Sequence, residues 1–193
     1  MNRSLLLSLL VMVTATAASA HAGGAAGAGF ATGLLHPLLG WDHVAAMVAV
    51  GLWGAFLGAP AIWVLPVAFP LVMALGGALG AAGVPLPGIE TGIAGSALVI
   101  GLAVALAAQP PLWVAAVIVA AFAVFHGHAH GTEMPQAANP LTYAAGFVIA
   151  TGLLHLAGIA FGLLAARPAG RIAVRAAGGV IALGGIGFLT GAL

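Results

Sequence analysis

The stretch LWVAAVIVAAFAVFHGHAHGTE, Leu112 to Glu133, decides how this chain is read. Its first fourteen residues carry no charge and no polar side chain apart from the indole of Trp113; the next eight hold three histidines and a glutamate. Crossing a bilayer takes about 20 apolar residues in a helix. A charged side chain near the bilayer centre costs about 2.5–3.5 kcal/mol even on lenient insertion scales. Ionisable groups at the end of such a run therefore face a cavity, a partner or an ion. A second string of the same kind, HPLLGWDH from His36 to His43, lies upstream.

The rest of the composition supports a lipid-solvated chain. Of its 193 residues 63% are hydrophobic and 4% charged, where a soluble domain carries about 25% charged residues. The expected fold is an all-α integral membrane protein, with residues 21–193 forming a single polytopic transmembrane domain. The absence of cysteine excludes disulfides and thiolate ligands and argues against a soft ion such as Cu(I). A net charge of +1 implies nothing about nucleic acid, and with no basic patch or base-stacking face none is expected as a partner. The bilayer is the expected partner, and self-association is left open.

Residues 1–20 read as a signal peptide: Arg3 gives the positive start, Leu5 to Val13 the apolar centre, and Ala18-Ser19-Ala20 the small-residue cleavage site. An uncleaved first helix is the alternative. Cleavage after Ala20 would expose His21 as a periplasmic N-terminus, either able to chelate a metal or an accidental histidine at a processed end. Six apolar runs follow, at 41–58, 61–83, 89–107, 112–128, 141–165 and 172–192. A shorter Gly- and Ala-rich segment, 22–36, is stopped by Pro37 and Gly40 and reads as a re-entrant or interfacial helix. Arg167, Arg171 and Arg175 cluster around the start of the last run, and basic connections favour the cytoplasm. Six spans from an outer N-terminus then place both histidine strings and Glu90 outside, in the cytoplasmic (inner) membrane of a bacterium. Small-residue spacings at Gly54/Gly58, Gly76/Gly80, Gly158/Gly162 and Gly187/Gly191 suit close helix packing. Pro66 and Pro70 are expected to bend the second span. The pentapeptide TGLLH occurs twice, at 32–36 and 151–155, either as a trace of an internal repeat or by chance.

On a helix His126 and His130 lie one turn apart, with Glu133 further along the same stripe, while His128 points nearly the opposite way unless Gly127 and Gly131 unwind the segment. Imidazoles with a carboxylate suit Ni²⁺, Co²⁺, Zn²⁺ or Cu²⁺. In the first string, a break at Pro37 and Gly40 can turn His36 on one flank and Asp42 and His43 on the other toward one point. Met47, one turn beyond His43, reads as packing or as a weak thioether ligand. His155 reads as a hydrogen-bonded core residue or as a relay, and Glu90 as a helix-dipole partner or a ligand.

These two strings, HPLLGWDHVAAM and FHGHAHGTEMP, resemble the signature motifs of the HupE/UreJ family, and the likeness extends over the mature chain. The resemblance implies a nickel permease serving hydrogenase or urease maturation, with cobalt as an alternative cargo and no prosthetic group. It also implies His36, Asp42, His43, His126, His130 and Glu133 as metal-handling residues, with His128 beside them. No nucleotide-binding loop is present, so ATP hydrolysis is not expected of the chain itself. The competing readings are a membrane-embedded metal-dependent hydrolase, a bis-histidine haem protein and a metal-binding accessory subunit.

Overall fold

The computed structural model describes residues 25–134 and 139–193, so the signal-peptide expectation and His21 lie outside the described residues. The described chain is helical: α1 Ala25–Leu39, α2 Trp41–Leu57, α3 Ala61–Ala81, α4 Ile89–Ala105, α5 Leu112–Glu133, α6 Pro140–Gly162 with a 3₁₀ turn Leu163–Ala166, and α7 Pro168–Thr190. Every expected apolar run forms a helix. α3, α5, α7 and α6 with its 3₁₀ extension are each long and apolar enough to cross a membrane. α1 and α2 qualify as a pair bent by 80°, and α4 is a shorter apolar helix. That makes four candidate spans, or five with the bent pair.

Burial is inverted relative to a water-soluble protein. Trp113, Leu71, Val117, Leu153 and Ile172 lie exposed on the outside, whereas Ser96, His126, His128, His130, Thr151 and His155 are buried. Exposed apolar side chains cost nothing in hydrocarbon, while polar groups there must turn inward. The chain is a multi-pass membrane protein.

Glycine sets the closest helix crossings. α3 and α5 interlock reciprocally: a Cβ on Gly76 or Gly80 would strike the carbonyls of Val124 or His128, and one on Gly127 or Gly131 would strike those of Met73 or Gly77. Gly51 of α2 meets the His155 carbonyl of α6, and Gly158 meets that of Val48. Gly101 of α4 faces Gly178 and Ala182 of α7. Part of the expected pattern is therefore corrected. Gly187 packs against Leu193 and Gly191 caps α7 in a left-handed conformation (φ 68°), so neither serves a helix crossing. Gly127 and Gly131 do not unwind α5 but let it approach α3.

Three local boundaries also differ from expectation. α1 runs through Pro37 and breaks at Gly40, which has extended backbone (φ −90°, ψ 110°). α5 continues past His128 to Glu133, so the second string is regular helix. α7 begins at Pro168, since proline lacks an N–H and fits the first helical position, which places Arg171 and Arg175 inside the helix. α3 stays continuous through Pro66 and Pro70.

Candidate metal-binding cleft

The 80° break at Gly40 gives the first string its geometry. α1 packs along α6 and delivers His36, while α2 turns away and delivers Asp42 and His43 from its first turn. α4 starts beside them with Glu90, and α5 ends beside them with Glu133. His36, Asp42, His43, Glu90 and Glu133 line one cleft of about 300 Å³. The sequence contains only three carboxylates, and all three open onto this space. With no cation side chain among the lining residues, their charges add to a negative field that draws cations in.

The imidazoles form a file leading inward from the cleft. Ring centroids are 4.7 Å apart for His36 and His130, 4.7 Å for His130 and His43, and 4.8 Å for His43 and His126. His36 is half-buried and His126 is fully buried. At the mouth, His36 Nε2 lies 3.0 Å from Glu133 Oε2. His36, His130 and Glu133 each offer a ligand atom, all within 4.8 Å of one another. A borderline ion held at about 2.0–2.2 Å from each ligand needs donor atoms about 3–4 Å apart.

Hydrogen bonds fix which nitrogens are free. His43 Nδ1–H donates to Asp42 Oδ1 at 2.7 Å, and the His43 backbone N–H donates to the same oxygen at 2.8 Å. This commits Nδ1 and leaves Nε2 as a lone pair, which is buried without a partner among the described residues. Ser96 of α4 does the equivalent for His126. Its hydroxyl donates to the Ile93 carbonyl at 2.5 Å, so its oxygen accepts from His126 Nε2–H at 2.9 Å. The lone pair then belongs to His126 Nδ1, also without a partner among the described residues. A histidine whose second nitrogen is held by a carboxylate or hydroxyl is the usual arrangement of a metal ligand. His130 packs at 4.0 Å on the Phe147 ring, and neither of its nitrogens has a partner among the described residues.

The remaining candidates separate from this group. His128 points to the other side of α5 and donates from Nε2 to the Val84 carbonyl at 2.6 Å, pinning the α3–α4 connection. Met47 is fully buried in the hydrophobic core. His155 is also buried and touches Phe69, which also touches His126. The two TGLLH segments have unlike surroundings: Gly33 is pressed against the Tyr143 backbone, whereas Gly152 has open space beside it. Ser96 and Phe69 are the contributors that the sequence reading missed. Ser96 carries a signal, since it is the one serine after residue 19.

Arg171 and Arg175 occupy the opposite end of the bundle. α4 runs from Glu90 at the cleft to Ala105, whose carbonyl accepts from Arg175 Nε at 2.8 Å, and Arg171 lies 5.2 Å above the Phe56 ring.

The family model described as HupE / UreJ protein matches residues 9–188. Protein HupE of Rhizobium leguminosarum bv. viciae is 45% identical over 184 residues, covering 95% of this chain and 96% of that protein. No solved structure matches the chain at a significant level.

Proposed function

The chain belongs to the HupE/UreJ family, and from that premise we propose that it is a permease carrying a divalent transition-metal ion inward, nickel first and cobalt as the alternative. The cargo would serve maturation of a nickel enzyme such as hydrogenase or urease. The observation that carries this reading is the file His36–His130–His43–His126 leading from a cleft lined by all three carboxylates into the bundle. The carboxylates gather the hydrated ion, and His36, His130 and Glu133 replace part of its water. His43 and His126, with their lone pairs set by Asp42 and Ser96, receive it further in. Mixed imidazole and carboxylate donors suit nickel and cobalt better than calcium or magnesium. The arginine end is cytoplasmic by its basic residues, so the cleft opens to the periplasmic side of the inner membrane. An inside-negative potential then favours entry by about 2.3 kcal/mol per charge per 100 mV.

The test is ⁶³Ni²⁺ uptake by cells expressing the parent, Asp42→Ala or His130→Ala at matched membrane levels. The parent is expected to accumulate nickel, and each variant to fall by about tenfold or more. A well-inserted parent that accumulates none would favour the accessory-subunit or hydrolase readings instead.

A further inference from the structure

His155 lies beyond the described file, in the middle of α6, and is 2% exposed. An imidazole always carries one donor and one acceptor or two donors, yet neither of its nitrogens has a hydrogen-bond partner of standard geometry among the described residues. The backbone of Pro66 on α3 lies close enough to act on the ring, and a proline backbone can offer only a carbonyl. That carbonyl is special within its helix. Its normal donor would be the N–H of residue 70, and Pro70 has none. The oxygen is thus released from the helical ladder at the depth where His155 sits.

The Phe69 ring connects this place to the outer file. Its centroid is 5.4 Å from that of His126 and 5.4 Å from that of His155. The ring is fully buried and offers no lone pair.

We propose that His155 and the Pro66 carbonyl form a second, inner station for the transported ion, reached from His126 by passing Phe69. The proposal rests on the permease reading above. One imidazole nitrogen and one carbonyl oxygen make a sparse ligand set, weaker than the outer cluster. An inner station must be weak, because conduction requires each site to release what it receives. Continuous α3 supplies the carbonyl without a broken helix, since Pro70 lacks the N–H that would otherwise occupy it. The bare Phe69 ring separates the two stations, so an ion must shed outer ligands before it gains inner ones.

The experiment compares the parent with His155→Phe and His155→Cys. It measures Ni²⁺ binding to the purified detergent-solubilised protein and ⁶³Ni²⁺ uptake in cells at matched membrane levels. His155→Phe keeps an aromatic ring against Phe69 but has no ligand atom. Its Ni²⁺ affinity should match the parent, because the outer cluster is intact, while uptake should fall about tenfold. His155→Cys offers a softer donor. It should retain more uptake than His155→Phe and be inhibited by Cd²⁺ at lower concentration than the parent. A merely structural histidine would not shift that competition. Parental uptake in His155→Phe, or a parental Cd²⁺ profile in a transporting His155→Cys, would overturn the inner station while leaving the permease intact. A parent that takes up no nickel would overturn both readings together. Should His155→Phe fail to insert, the Cd²⁺ competition of His155→Cys decides alone.

Discussion

Gly127→Val should leave almost no folded protein in the membrane, with any recovered fraction unfolding at a markedly lower temperature in detergent. The cause is the reciprocal contact of α3 and α5, in which a Cβ at position 127 meets the Met73 backbone carbonyl. Side chains can rotate away from an added methyl group, but a helix backbone cannot. Overpacking of side chains alone costs about 1–3 kcal/mol, and here the entire crossing must open. Lipid supplies little hydrophobic force to re-close it, so close backbone approach is the main attraction lost. Opening the crossing also displaces His126 and His130, which flank the glycine on the same helix. Gly152→Ala is the matching control: nothing lies within 4 Å of a Cβ there, and the substitution should be neutral or stabilise by up to about 1 kcal/mol through helix propensity. Membrane levels and thermal unfolding of the two variants would check the pair. Equal behaviour would mean that the α3–α5 approach is not what holds the bundle.

Ser96→Ala should lower nickel affinity by about 10–100-fold with little loss of folded protein, the usual effect of removing a partner that orients a ligand. The serine hydroxyl binds His126 Nε2 and thereby assigns the lone pair to Nδ1. Without it the ring is free to change tautomer and orientation, so the nitrogen facing the file is no longer fixed. The side chain is small, and its loss removes one oxygen from a tightly packed interior. Nickel titration of purified protein checks this, and an affinity equal to the parent's would show that His126 is not held for binding.

Much of the fold was legible because helices in lipid announce themselves by length and apolarity. The six runs became six helices, with ends displaced by a few residues. The misread boundaries share a physical origin. Pro37 was expected to stop α1 together with Gly40, but proline forfeits only one hydrogen bond within a helix whose neighbours hold it, and the break falls at Gly40, where a Cβ would lie 2.9 Å from Asp42 Oδ1 and 3.0 Å from His43 Nδ1. Arg171 and Arg175 looked like connection because charge is rare in spans, yet long cationic side chains can lie within a terminal turn and reach outward. The histidine strings marked the cleft because polar groups are so costly in this setting that two clusters of them demanded a common purpose. Their arrangement was not legible. The order of the imidazoles along the file depends on which helices neighbour one another, and no local spacing encodes that α1 lies on α6 or that α4 brings Ser96 to His126. Gly127 and Gly131 were misassigned for the same reason, since a glycine beside a histidine looks functional until the facing helix is known.

The segregation of charge between the two ends of the bundle has a further consequence. In the proposed orientation, three carboxylates line the entrance while Arg171 and Arg175 sit at the cytoplasmic end, so the protein's own field points outward along the path. A cation arriving from outside finds an attractive mouth, whereas one arriving from the cytoplasm meets a repulsive rim. On the permease reading such a conduit would rectify: influx and efflux would differ in rate at equal driving force, and metal once delivered would leak back slowly without any moving part to prevent it.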